Sequence, residues 1–204
     1  MVTKQARIAV LVSGGGTNLQ ALIDAKLQSG RIELVVSSKA GVFALERAAN
    51  AGIPAEVIEK KGCTQEAFEE KLEALLKAYD IDLIILAGFL TILSPAFTAR
   101  HPRRIINVHP SLIPSFCGEG FYGLRVHEAA LARGVKLTGA TVHFVNEIPD
   151  GGEILLQKAV EILPGDTPEI LQRRVMEQAE WKLLPRAAEL VSQEIVKEKE
   201  NCHD

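Results

Sequence analysis

Asn107 and His109 stand two residues apart in the stretch IINVHPSLIP at residues 105–114. On a strand, alternate side chains project from one face, so an amide donor and a titratable imidazole point the same way. Together such groups can hydrogen-bond a developing oxyanion and carry a proton. The run up to Val108 is β-branched and apolar, and Pro110 and Pro114 then break it. Proline has no N–H for a ladder and biases the preceding residue to extended backbone. A strand end of this kind also has a plain structural reading, in which the two polar side chains satisfy loop backbone.

Two other stretches could serve the same chemistry. Ser13-Gly14-Gly15-Gly16-Thr17-Asn18 joins an apolar run to a helical pattern. A strand–glycine–helix junction offers backbone N–H groups and a positive dipole end to an anion. It is not a P-loop, which needs Gly-Lys-Ser/Thr at the helix start. It is not a dinucleotide fingerprint either, because Leu19 replaces the third glycine and Ser37-Ser38-Lys39 replaces the ribose-binding acid. A single phosphate fits better than NAD or ATP, with a tight turn capped by Thr17 or Asn18 as the alternative.

Asp150-Gly151-Gly152 is the second stretch, and on its own it reads as turn chemistry. Were Asp150 to reach His109, the carboxylate would stabilise imidazolium and raise the His pKa from ~6.5. The trio would then suit acyl transfer in which an amine, not the enzyme, is the nucleophile. Cys117 suggests a competing Cys–His nucleophile, but Glu119 beside it opposes a thiolate, and an incidental cysteine is the simpler reading. His127 reads as packed or capping, and His143 as a support behind the site. No HxH, HExxH or Cys/His pairing points to a metal.

Positioning these groups falls to a regular first half. Strands are expected at residues 7–13, 32–37, 55–58 and 81–89, the last the most apolar and central. Helices are expected at 19–27, 43–51 and from Thr64, which can serve as N-cap. The alternation indicates an α/β, doubly wound, mostly parallel central sheet with a Rossmann-like N-terminal half. Further strands are expected to end at His109 and to span 136–145 and 154–162, with helices at 124–133 and onward from Thr167-Pro168. Gly139 marks a bulge or a close backbone approach. The expected organisation is one domain over 1–204, in halves of about 1–101 and 102–204.

Composition narrows the function. Of 204 residues, 47% are apolar and 24% charged, and the net charge of −3 gives no electrostatic case for nucleic acid. No apolar run approaches the ~20 residues of a membrane span, and no leader pattern precedes the first strand. Three scattered cysteines argue against a disulfide framework and for a reducing, cytoplasmic setting.

SGGGTNLQALIDA at 13–25, LAGFLTILS at 86–94, INVHPSLIP at 106–114, GATVHFV at 139–145 and DGGEILLQ at 150–157 together resemble the phosphoribosylglycinamide formyltransferases, folate-dependent enzymes of purine biosynthesis. The resemblance implies a formyltransferase C-terminal half and 10-formyltetrahydrofolate as co-substrate, with no metal. Asn107 and His109 would bind the formyl oxygen, with His109 protonated. Asp150 would hold His109 charged and, through water, take the amine's proton. Gly16, Thr17 and Asn18 would hold the substrate phosphate, Pro110 would contact the substrate, and Glu180 would hold its ribose. Leu90, Thr91, Ile92 and Leu93, with Asn107 and the loop Asn146, Glu147, Ile148, Pro149, Asp150, would line the folate pocket. Relatives often carry arginines, linked to the folate's glutamate tail, where this chain has Gln65 and Thr91.

Methionyl-tRNA formyltransferase carries an extra C-terminal domain and formyltetrahydrofolate hydrolase an extra N-terminal one, so the length suits the stand-alone transferase. The expected activity is formyl transfer to the amine of phosphoribosylglycinamide by a monomer or homodimer. The alternatives are formyl-folate hydrolysis or another folate formyltransferase activity, and a non-catalytic phosphate-metabolite binder.

Overall fold

The computed structural model describes residues 5–201. The sequence readings that touch residues 1–4, Cys202 and His203 lie outside them. Seven strands form one sheet in the order β3-β2-β1-β4-β5-β6-β7. They are β1 (Ala6–Val12), β2 (Gly30–Ser37), β3 (Ala55–Val57), β4 (Leu83–Leu86), β5 (Ile105–His109), β6 (Leu137–Phe144) and β7 (Ile154–Glu161). The first five are parallel, and β6 and β7 are antiparallel to their neighbours.

Strand alternation divides the core in two. Ile8, Val10 and Val12 of β1 pack with Leu19 and Leu22 of α1 (Thr17–Ala25) and with Leu184 and Ala188 of α7 (Trp181–Asn201). Ala9 and Leu11 face the other way, onto Phe68 and Leu72 of α3 (Gln65–Ala78) and Phe97 of α4 (Pro95–Arg100). Both faces of the sheet are therefore covered, which is why its parallel strands read as unbroken apolar runs. The remaining helices are α2 (Phe43–Asn50), α5 (Leu124–Arg133) and α6 (Pro168–Val175).

Local chemistry sets the boundaries. Thr64 caps α3, its hydroxyl accepting from Ala67 N at 3.2 Å. Thr167 caps α6, with Pro168 in the first turn. The strand expected over 81–89 is shorter, Leu83–Leu86, because the chain leaves the sheet where Gly88 turns at φ 72°. β4 is nevertheless the middle strand of the seven. Gly139 is a close approach: a Cβ there would lie 2.0 Å from the carbonyl oxygen of Lys158.

Between α6 and α7 the backbone widens into a π-turn at Met176–Glu180. Such a turn spends one extra residue and shifts the register of everything after it. It leaves Glu180 buried.

Candidate active site

The antiparallel pairing of β5 with β6 builds the centre of the site. Its register sets Asn107 opposite His143 and His109 opposite Thr141. The chain continues from β6 through residues 145–153, and the turn swings Asp150 back over the end of β5. Asp150 Oδ2 lies 3.4 Å from His109 Nδ1, and Oδ1 lies 3.5 Å from His143 Nε2. Asn107 Nδ2 donates to Asp150 Oδ1 at 3.5 Å and lies 3.3 Å from His143 Nε2. Asp150 sits in the left-handed region (φ 55°), which aspartate tolerates better than most residues. Gly152 beside it has no alternative, since a Cβ would stand 1.8 Å from Phe144 O.

The loop 115–123 supplies two backbone groups that no side-chain letter announces. His109 Nε2–H donates to Phe116 O at 2.8 Å, and Gly118 N–H donates to Asp150 Oδ2 at 2.9 Å. A carbonyl only accepts, so neutral His109 carries its proton on Nε2 and turns the Nδ1 lone pair toward Asp150. A second proton on Nδ1 makes an imidazolium able to donate to an oxygen entering the cleft. His143 Nδ1–H donates to Phe144 O at 2.7 Å, which leaves Nε2 facing the amide of Asn107.

Electrostatics modify one expectation. Burial pulls the His109 pKa down; Asp150 and the Phe116 carbonyl push it up, His143 pulls it down again, and the sum is below the usual value. Asp150 therefore acts in the expected sense but does not raise His109 above ~6.5, because desolvation of the cation outweighs it. On Asp150 itself burial works to raise the pKa. Contacts to His143, His109 and the Gly118 N–H outweigh it and hold the carboxyl below the ordinary range.

At the glycine loop, Gly16 is the N-cap of α1 with φ 71°, and no side chain caps the helix. The capped-turn reading fails here: Asn18 turns inward and donates to Glu180 Oε2 at 2.8 Å. The π-turn delivers Glu180 to that bond, and burial pushes its carboxyl up to about 7 against the pull of Asn18. Asn18 Oδ1 is buried without a partner. Arg47 adds a cation that the sequence reading missed, with Nε donating to Gly15 O at 2.9 Å. By strand spacing, β1 and β5 ends lie two steps apart, roughly 10 Å.

A cavity of about 130 Å³ is lined by Leu90, Thr91, Ile92, Leu93, Asn107, Asn146, Glu147, Pro149 and Asp150, along with His143 and Val145. Ile148 lies outside this lining and is 58% exposed. A larger cleft of about 470 Å³ adjoins it, bounded by Gly88–Leu90, Asn107–Pro110 and Gly118–Gly123. Gln65 donates to Ile92 O at 3.0 Å and to Glu69 Oε1 at 2.6 Å, and so braces the wall of the smaller cavity. Burial and Asp150 raise the Cys117 thiol pKa, which argues against a thiolate nucleophile. His127 is fully buried with both ring nitrogens unpartnered.

Known proteins similar to this chain carry formyl transferase names. The formyl transferase family pattern matches residues 6–188. The human trifunctional purine biosynthetic protein adenosine-3 is 45% identical over 202 residues, covering 97% of this chain. The chain spans only 19% of that protein's length. Phosphoribosylglycinamide formyltransferase of Haemophilus influenzae is 42% identical, covering 88% of this chain and 84% of the relative. The crystal structure of glycinamide ribonucleotide transformylase 1 from Symbiobacterium toebii superposes with a TM-score of 0.86 at 40% identity, covering 93% of this chain and 88% of that one. The chain belongs to the formyl transferase family, and its relatives there include phosphoribosylglycinamide formyltransferases.

Proposed function

We propose that the chain transfers the formyl group of 10-formyltetrahydrofolate to the amine of 5′-phosphoribosylglycinamide, giving formylglycinamide ribonucleotide and tetrahydrofolate. The observation that carries this reading is the meeting of Asn107, His109 and Asp150 at the mouth of two adjoining cavities.

In this reading the uncapped N-terminus of α1, with Gly16, Thr17 and Asn18, takes the substrate phosphate. Glu180, held by Asn18, meets the ribose. The folate enters the smaller cavity between residues 90–93 and 146–150. The formyl carbonyl oxygen faces the Asn107 amide and His109, and Pro110 flanks the incoming glycinamide. The neutral amine attacks the formyl carbon directly, and its lone pair forms the new C–N bond. The carbonyl pair moves onto oxygen, where Asn107 and protonated His109 receive the charge. Asp150 stabilises that imidazolium and, through water, takes the proton that the attacking nitrogen loses. Collapse of the intermediate breaks the bond to folate N10, which leaves with the proton that water and Asp150 took from the amine, so the site returns to its starting charge. No covalent enzyme intermediate forms.

A folate-release assay with and without the ribonucleotide tests the reading. Release of tetrahydrofolate only when the ribonucleotide is present is the expected result. Equal release without it indicates hydrolysis, and no release under either condition indicates a phosphate-metabolite binder; each would overturn the proposal.

A further inference from the structure

Ser13 and Leu90 meet across the switch point of the sheet. β1 and β4 are parallel neighbours, and the chain leaves them toward opposite halves of the sheet, which opens a crevice at their carboxyl ends. In this fold a single hydroxyl bridges that crevice. Leu90 N–H donates to Ser13 Oγ at 3.0 Å, and Ser13 Oγ lies 2.7 Å from Ser38 Oγ. Both serines are buried. Ser38 belongs to the chain just past β2, and its N–H donates to Val12 O at 3.1 Å. Three strand ends therefore converge on Ser13.

Two of those ends carry the candidate substrate loops. Ser13 directly precedes the glycine loop, and Leu90 lines both cavities. The far side of the glycine loop is anchored independently, with Gly14 O accepting from Ala44 N and Gly15 O from Arg47 Nε. A ligand that tightens the loop against α2 consequently acts on Ser13 at its other end.

We propose that Ser13 is a positioning residue that couples the two substrate sites. An anion on the glycine loop fixes the Ser13 hydroxyl, which fixes the Leu90 backbone and the wall of the folate cavity. This rests on the reading above that phosphate occupies the glycine loop and folate the cavity beside Leu90. Coupling between sites is reciprocal, so each ligand tightens the other by the same factor.

Calorimetric titration with tetrahydrofolate, which has no formyl group to transfer, reads the coupling with and without saturating glycinamide ribonucleotide. Wild-type protein is expected to bind the folate about fivefold or more tightly in the presence of the ribonucleotide. In Ser13→Ala that ratio falls to about one. In Ser38→Ala, which leaves the acceptor for Leu90 in place, most of the ratio survives. An unchanged ratio in Ser13→Ala overturns the proposal, and so does an equal loss in both variants, which would mean simple packing in the crevice. If wild type binds both ligands singly with a ratio of one, the coupling alone is wrong. If wild type binds neither ligand, the functional reading fails and the coupling fails with it.

Discussion

His109 and Asp150 face each other at 3.4 Å from Nδ1 to Oδ2, and one loop holds both of them from behind. Phe116 O takes the Nε2–H of His109, and Gly118 N–H goes to Asp150 Oδ2. The loop thereby leaves Nδ1 as the nitrogen that faces Asp150 and is open to a second proton. Asn107 and Asp150, 43 positions apart in sequence, thus meet at the same place.

In the proposed mechanism, Asn107→Ala removes an amide aimed at the place where charge develops. Turnover should fall by roughly 10²–10³, with much smaller changes in KM, as for other donors to an oxyanion. Steady-state rates together with a melting curve check this, since the backbone pairing of Asn107 with His143 does not depend on its side chain.

Much of this was legible beforehand, and for physical reasons. Buried parallel strands write themselves as apolar runs, and Gly134 closes α5 in the left-handed region where a C-cap glycine is expected. Asn107 and His109 were readable because strand alternation is local. His143 read only as a support behind the site; its contacts with Asn107 and Asp150 depend on the register of two strands whose facing residues are 36 apart. Phe116 O and Gly118 N–H were invisible because every residue carries those groups. The length of β4 could not be read from Ile81–Phe89, since apolarity reports burial and not pairing. The low pKa of His109 depends on how deeply it is buried, a property of the assembled fold.

Glu180→Gln should change the pH dependence of stability. Burial raises the folded-state pKa of Glu180 from 4.5 to about 7, so the folded protein holds an extra proton between those values. Its contribution is full below pH 4.5 and is lost as pH rises through about 7. Relative to Glu180→Gln, wild type should lose about 3 kcal/mol across that window. Urea unfolding of both proteins at pH 4.5 and pH 8 measures the difference.

His127→Leu probes the opposite sign. Burial lowers the pKa of His127 from 6.5 to about 4, so the unfolded chain binds the extra proton between these values. Stability is unaffected above pH 6.5 and is lost as pH falls toward 4, by about 3 kcal/mol. The leucine variant should escape this part of the acid loss. It should also be no less stable at pH 7.5 by more than about 1 kcal/mol, because neither ring nitrogen has a protein partner to forfeit. Parallel denaturant melts over pH 4–8 supply the comparison.

Cys117→Ala should turn over at close to the wild-type rate. Its thiol sits above the ordinary value through burial and the nearby Asp150 charge. Iodoacetamide should accordingly modify it slowly at pH 7. A loss of more than about a hundredfold in the alanine variant would revive a covalent cysteine route.

The most direct measurement is single-turnover formyl transfer by Asp150→Asn with both substrates saturating. The asparagine keeps an oxygen for Gly118 N–H but removes the charge beside His109 Nδ1 and, in the proposed mechanism, the acceptor for the amine's proton. Transfer should slow by roughly 10²–10⁴ while both substrates still bind within a few-fold of wild type. Wild-type transfer in this variant would contradict the account, because His109 would then be doing its work without Asp150.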